Sequence, residues 1–263
     1  MAERIYCVPP YHFKNVGGCM LDCERAEYLG AGIYAYINPK HRFGTDALLL
    51  ADFASPKKGE RACDLGTGCG IIPLLWARAP KLLHSYGVEI DSEAVDLAKR
   101  SAQKSGMVNR LTFINADLRD NLPIENASLS LVTCNPPYFT SDSGVSSADP
   151  VRGTARHELF CDINDVAQCA ARLLNFSGRL CVCQRPERLV DTVTAMRFAG
   201  IEPKKIRMVA QKRDKEPWLM LIEGRKGAKN GIRFDPLFRI YDDDGKYTPQ
   251  MEELYRLYRE EPC

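Results

Sequence analysis

The segment Asp64-Leu65-Gly66-Thr67-Gly68-Cys69-Gly70 constrains the fold of this chain most, because alternate glycines join a strand-length apolar run to a helix-length one. Such a turn lets the backbone approach a ligand without side-chain obstruction and marks the first βα unit of an open sheet. The unit repeats. Strand candidates at Arg61–Asp64, Ser85–Ile90, Leu111–Asn115, Leu129–Cys134, Arg179–Cys183, Lys205–Val209 and Trp218–Glu223 alternate with helical stretches near Ile71–Arg78, Ser92–Ser105, Ile163–Leu174 and Pro186–Phe198. Gly106 and Gly200 stand where helices should end, and Ser177-Gly178 predicts a turn into the next strand. No helix-length insertion separates the last two strands, which predicts an antiparallel final pair. The expected fold is therefore α/β, a mostly parallel seven-stranded sheet with one reversed strand and helices on both faces.

A chain of 263 residues with 45% hydrophobic content can build the core of one large domain. Residues 1–25 carry Pro9-Pro10 and Gly17-Gly18 without periodicity and read as an irregular leader. Residues 26–224 form the expected main domain. Residues 225–263 are expected as an appendage, with a turn at Asp242-Asp243-Asp244-Gly245 and a short helix over Met251–Arg259. No signal-like apolar run follows Met1-Ala2-Glu3-Arg4 and no stretch reaches membrane-span length, so the chain is expected in the cytoplasm. Its eleven cysteines are an odd number, and Cys181 and Cys183 fall inside a strand, which suits reduced thiols. Cys7, His12, Cys19 and Cys23 cluster in the leader, but the CxxC spacing of zinc sites is absent, and no metal is expected.

The acids around the glycine turn narrow the ligand. The GxGxG spacing departs from the GxGxxG of dinucleotide sites, and Asp64 beside it disfavours a phosphate and favours an ammonium. Glu89 closes the second strand, where its carboxylate can take ribose hydroxyls. Asp117 follows the third and can accept from an adenine amino group. A single such acid is commonly a solvated residue or a helix cap. Three at successive strand ends, with Gly66 and Gly68, point to S-adenosyl-L-methionine, which has an ammonium, a ribose and an adenine but no phosphate. Upstream, Arg42-Phe43-Gly44-Thr45-Asp46-Ala47-Leu48-Leu49-Leu50-Ala51-Asp52-Phe53 reads as an amphipathic helix capped by Thr45, with Leu48, Leu49 and Ala51 in the core. It also reads as a lid over the methionine end of the cofactor, with Phe43 shielding the sulfonium.

Downstream, Asn135-Pro136-Pro137-Tyr138 closes the strand Leu129–Cys134. In a random loop this tetrapeptide would be turn punctuation. At the carboxyl end of a buried strand it suits methyl transfer to a planar nitrogen. The Asn135 side-chain oxygen and the Pro136 carbonyl can each accept one hydrogen of an amino group, and Tyr138 offers a stacking face. The prolines stiffen the loop, so these acceptors need little reorganisation as charge develops. From Ile201 to Arg239, eleven basic residues face five acidic ones, an excess that fits either a phosphate-binding surface or a solvated face.

The order HRFGTDALLLADF, CDLGTGCGIIPLLWA, GVEID, NPPYF, ARHE, RPERL and EGRKG resembles the bacterial tRNA (adenine-N6)-methyltransferases that modify adenosine 37 of valine tRNA, over roughly residues 26–255. The glycine turn and NPPY are shared by many amino-methyltransferases and specify only the chemistry. FGTDALLLADF with ARHE and RPERL is more particular. The resemblance implies a Rossmann-like class I methyltransferase fold, S-adenosylmethionine as donor and an RNA adenine as acceptor. It implies that Asn135 and Pro136 hold the N6 amino group and Tyr138 stacks on the base. Phe43, Thr45, Asp64, Gly66, Gly68, Glu89, Asp117 and Asn135 would line the cofactor. Arg152, Arg156 and His157 follow the catalytic loop, where RNA contact and a helix cap with salt bridges explain them equally. For Lys204, Lys205 and Arg207, RNA contact competes with an exposed sheet edge. Two other readings stand beside this one. Protein-glutamine methyltransferases use the same glycine turn and NPPY, but they carry a helical substrate domain that the first sixty residues here are too irregular to form. A non-catalytic RNA-binding protein of this fold would not be expected to keep Asp64, Glu89, Asp117 and NPPY together.

Overall fold

A computed structural model describes residues 24–79, 82–136 and 161–256. A short hairpin, β1 (Arg25–Tyr28) against β2 (Tyr34–Ile37), leads into α1 (Thr45–Ala54). Then follow β3 (Arg61–Leu65), α2 (Ile71–Ala77), β4 (His84–Glu89), α3 (Ser92–Lys104), β5 (Leu111–Asn115) and β6 (Leu129–Cys134). After residues 135–162 come α4 (Ile163–Leu173), β7 (Leu174–Gln184), a 3-10 turn (Pro186–Arg188), α5 (Leu189–Phe198), β8 (Ile201–Ala210) and β9 (Leu219–Lys226). Two-residue strands β10 (Arg233–Phe234) and β11 (Phe238–Arg239) and helix α6 (Pro249–Arg256) complete the described chain.

The main sheet runs β10-β8-β9-β7-β6-β3-β4-β5, with β11 also on β8. All seven strands expected from the sequence are present. β9 is antiparallel to both β7 and β8, so it is the one reversed strand. β10 and β11 lengthen the β8 edge, an addition that two-residue segments cannot announce through periodicity. The chain leaves β3 toward β4 and β5 and then returns to β6 on the other side of β3. That return makes a switch point at the carboxyl ends of β3 and β6, the crevice where open α/β sheets bind ligands.

Helices cover both faces because the strands are apolar on both. Leu48, Leu50, Ile72, Leu74, Leu97 and Met251, from α1, α2, α3 and α6, pack on one face. Ile163, Val166, Leu173 and Met196, from α4 and α5, pack on the other. Local chemistry sets the helix starts. Asp91 caps α3 by accepting from Glu93 N at 3.0 Å, and Asp162 and Asp165 form a reciprocal capping box at α4. The expected Thr45 cap is corrected: Gly44 is the N-cap of α1 with extended backbone and no side-chain cap, and Thr45 is the first helical residue. Glycine is tolerated there because α1 is held by burial of Ala47, Leu48, Leu49, Leu50, Ala51 and Phe53. The turn expected at Ser177-Gly178 is an excursion inside β7. Ser177 adopts φ 64°, and the β6–β7 register shifts between Leu129 and Leu131. Among the described residues no helix is long and apolar enough to cross a membrane.

Candidate active site

The glycine turn hangs between β3 and α2. Gly66 N and Thr67 N donate to Val88 O at 2.8 and 3.0 Å, which ties the turn to β4. Gly66 and Gly68 adopt φ 68° and 54°, and a Cβ added at either would meet no atom within 4 Å. The outer side of the turn is therefore open, a backbone cradle that side chains would fill.

Glu89 serves that cradle directly. Its Oε2 accepts from Gly68 N at 2.9 Å, and its Oε1 accepts from Ile90 N and Asp91 N at 2.8 and 3.0 Å. Each carboxylate oxygen offers about two acceptor positions, so Oε1 is filled by these amides while Oε2 keeps one position for a ligand hydroxyl. Asp117, after β5, is clasped by Arg119 through Nε at 3.0 Å and Nη2 at 2.6 Å. That hydrogen bond, with the guanidinium charge, holds the Asp117 carboxyl below the ordinary value. An adenine amino group at Asp117 would share the carboxylate with Arg119.

Asp64 lies beneath the cradle and is only 2% exposed. Burial pushes its carboxyl up to about 7, against the lowering effect of hydrogen bonding from Thr133 and Thr67, and Glu89 adds to the rise. The Thr133 bond is 2.7 Å, whereas the buried Thr67 Oγ1 makes no hydrogen bond of good geometry, so Thr133 is the partner that counts. Phe43 packs partly buried against the core, and Thr45 Oγ1 lies 3.3 Å from the Tyr255 hydroxyl, which joins the start of α1 to α6.

Asn135 leaves β6 across the crevice from the glycine turn. Its Nδ2 donates to Asp46 Oδ2 at 3.1 Å, and its Oδ1 accepts from Cys183 Sγ at 2.8 Å. Pro136 is buried, while Tyr138, Arg152, Arg156 and His157 lie outside the described residues. Glycine turn, Glu89 and Asn135 thus meet at one sheet end. Asp46, Thr133 and Cys183 were not singled out as site residues in the sequence, although a threonine inside the apolar run Leu129–Cys134 is the kind of buried polar residue that needs a partner.

The basic segment sits elsewhere. Lys205 shares its sheet register with Glu223, Cys181, Thr133 and Asp64, four strand spacings or roughly 19 Å from the glycine turn. It is not an exposed edge. Lys205 Nζ lies 4.0 Å from the Phe53 ring centre and 3.6 Å from Glu223 Oε2, and Arg207 Nη2 donates to Asp235 Oδ2 at 2.9 Å. Lys204 Nζ donates to Lys229 O at 3.0 Å. Lys204, Lys205, Glu223, Arg225 and Arg233 line a cavity of about 410 Å³.

Buried thiols account for several cysteines. Burial pushes Cys69 and Cys181 up to about 12, which keeps them protonated and poor metal ligands. Cys7, His12, Cys19 and Cys23 lie outside the described residues. His41, Asp91 and Glu93 bring ligand atoms within 4.8 Å of one another, but Lys40 Nζ already sits 2.7 Å from Asp91 and 3.3 Å from Glu93.

Residues 35–162 match the methyltransferase small domain family. A tRNA1(Val) (adenine(37)-N6)-methyltransferase of Parabacteroides distasonis is 30% identical over 183 residues, 69% of this chain and 76% of that protein. A protein of the same name from Tolumonas auensis is 30% identical over 218 residues, 81% of this chain and 87% of its own length. Among solved structures, a predicted O-methyltransferase of Agrobacterium tumefaciens covers 81% of this chain and 96% of its own at a TM-score of 0.66 and 20% identity, a likeness of fold.

Proposed function

Because the chain belongs to the family of the tRNA1(Val) (adenine(37)-N6)-methyltransferases, we propose that it methylates the N6 amino group of adenosine 37 in a valine tRNA, with S-adenosyl-L-methionine as donor and in the cytoplasm. The observation that carries this reading is the meeting of the open glycine cradle, Glu89 and Asn135 at the switch point of the sheet. The cradle fits the cofactor, since Gly66 and Gly68 leave the space that a Cβ would occupy, and no phosphate-binding GxGxxG is present. When bound, S-adenosylmethionine supplies an electrophilic methyl group. Glu89 Oε2 would hold a ribose hydroxyl and Asp117 would accept from the adenine amino group, whereas Asp64, expected beside the cofactor's ammonium, is buried on Thr133 and would stiffen the turn from below. Phe43 and Thr45, at the start of α1, would cover the methionine end.

An exocyclic amino nitrogen is a poor nucleophile because its lone pair is delocalised into the ring. Asn135 Oδ1 and the Pro136 carbonyl accept its two hydrogens and favour the pyramidal form, and Tyr138 stacks on the base. No strong base is required, because the N6 proton becomes acidic only after the nitrogen has gained the methyl group. A base in an anticodon loop is already partly unstacked, which lowers the cost of extruding it.

The test is incubation of the purified protein with an unmodified valine tRNA transcript and labelled S-adenosylmethionine, followed by nucleoside mass spectrometry. N6-methyladenosine at position 37 is expected. Labelling of a release-factor protein with no labelling of the tRNA would replace this reading with glutamine methylation.

A further inference from the structure

We infer that Asp46 and Cys183 are positioning residues that lock the amide orientation of Asn135, an inference that rests on the reading of Asn135 as the acceptor for the N6 hydrogen. An asparagine amide can turn half a revolution about its last torsion and exchange its oxygen for its NH2 at little intrinsic cost. In the reversed state the NH2 would face the incoming amino group, donor against donor. Asp46 closes that route. Its Oδ2 accepts from Asn135 Nδ2 at 3.1 Å, and a carboxylate can only accept, so the atom facing it must be nitrogen. Cys183 Sγ then donates to Asn135 Oδ1 at 2.8 Å; a thiol can also accept, so this bond does not choose the orientation but holds the oxygen in the one that Asp46 selects.

Asp46 is itself held. Its Oδ1 accepts from Ala47 N at 3.0 Å, and it stands in the first turn of α1, where the helix dipole favours a carboxylate. The residues that follow, Ala47, Leu48, Leu49 and Leu50, are buried in the core and fix the helix beneath it. Cys183 is fully buried on β7, so the second anchor is rigid as well. A negative charge accepting from Nδ2 also polarises the amide and strengthens Oδ1 as an acceptor while positive charge grows on the substrate nitrogen. Asp46 thus acts through Asn135.

The experiment compares Asp46→Ala, Asp46→Asn, Cys183→Ala and Cys183→Ser, alone and in an Asn135→Ala background. S-adenosylmethionine and an unmodified valine tRNA transcript are the substrates. Calorimetric titration of S-adenosylmethionine counts competent sites in every sample, so a poorly folded fraction does not enter the rates. Both Asp46 variants should lower kcat roughly ten-fold, with KM for tRNA and the cofactor Kd within about two-fold of the parent. Cys183→Ala should lower kcat less, and Cys183→Ser, which keeps a donor, should restore it. With Asn135 already replaced, adding Asp46→Ala should change nothing. An equal further loss in that background, or a cofactor Kd weakened in step with kcat, would overturn the positioning role while leaving Asn135 in place. Wild-type turnover by Asn135→Ala would remove the reading of Asn135, and this inference with it.

Discussion

Thr133 Oγ1 donates to Asp64 Oδ1 at 2.7 Å across the β6–β3 ladder, where the two residues are direct neighbours. Both side chains are buried immediately below the glycine turn. A polar pair in that position links the strand that leads into Asn135 to the strand that leads into Gly66. It also leaves an ionisable group where a charge is costly, which has a consequence for pH.

Burial raises the Asp64 carboxyl from 3.8 to about 7, with Thr133 and Thr67 opposing the rise and Glu89 adding to it. A carboxyl whose folded value is raised contributes stability that is fully present below the unfolded value and is lost as pH climbs through the folded one. The cofactor-free protein should therefore lose stability between about pH 4 and pH 7, by at most about 4 kcal/mol from this group. Asp64→Asn retains an oxygen for Thr133 and cannot ionise, so its urea midpoint should be flatter over the same window. A parent and a variant with equal pH slopes would show that Asp64 titrates at its ordinary value.

Close packing makes Gly87 a second point of attack. A Cβ at Gly87 would lie 2.6 Å from Phe113 Cδ1 and 2.8 Å from Thr67 Cγ2, and one at Gly70 would lie 2.8 Å from Phe113. Gly87→Ala should cost about 1–3 kcal/mol in chemical denaturation, as overpacking does, and Phe113→Leu should recover part of the loss in the double variant. Additive losses would place the strain elsewhere.

The sheet was legible in the sequence because its main strands are short apolar or alternating runs bounded by turn residues, apolar at Leu129–Cys134 before Asn135 and alternating in β8. The reversed β9 was legible too, since only eight residues, 211–218, separate it from β8. Thr45 was misplaced by one residue because hydroxyl caps dominate helix starts, while here core burial lets Gly44 take that position. Contacts between distant segments left no local mark. Asp46 meeting Asn135, or Lys205 meeting Phe53, requires the register of the whole sheet, which periodicity cannot supply. Charge counting likewise gave Lys205 and Arg207 the same weight as residues in open solvent.

Glu89 holds the cradle and, under the proposed function, would also bind the cofactor, so its removal should be felt at both. Glu89→Ala frees Gly68 N from its 2.9 Å partner and removes the acceptor proposed for a ribose hydroxyl. Cofactor affinity should weaken by about ten- to a hundred-fold, the effect of losing a hydrogen bond to a charged group worth about 1.5–3 kcal/mol. Calorimetric titration with S-adenosylmethionine measures it directly. Unchanged affinity would mean that Glu89 serves only the turn.

Under the proposed function, the phosphates of a tRNA would meet cations at the sheet end that carries Asn135. Lys205 is 14% exposed and lies between Phe53 and Glu223, and Arg207 is paired with Asp235, so truncating them should lower stability more than RNA affinity. The β8–β9 turn is different. β8 runs parallel to β6, so residues 211–217 emerge at the same sheet end as Asn135, and Lys212, Arg213 and Lys215 are all exposed there. Each phosphate contact removed from tRNA should reduce the slope of log affinity against log salt by about 0.7–0.9. Replacing Lys212, Arg213 and Lys215 with Ala should therefore flatten that slope and weaken valine tRNA binding, with the cofactor Kd unchanged. Lys204, Lys205 and Arg207 replaced together should leave the slope nearly intact while lowering the denaturation midpoint. The opposite pattern would put the phosphate backbone against the β8 edge and the 410 Å³ cavity beside it.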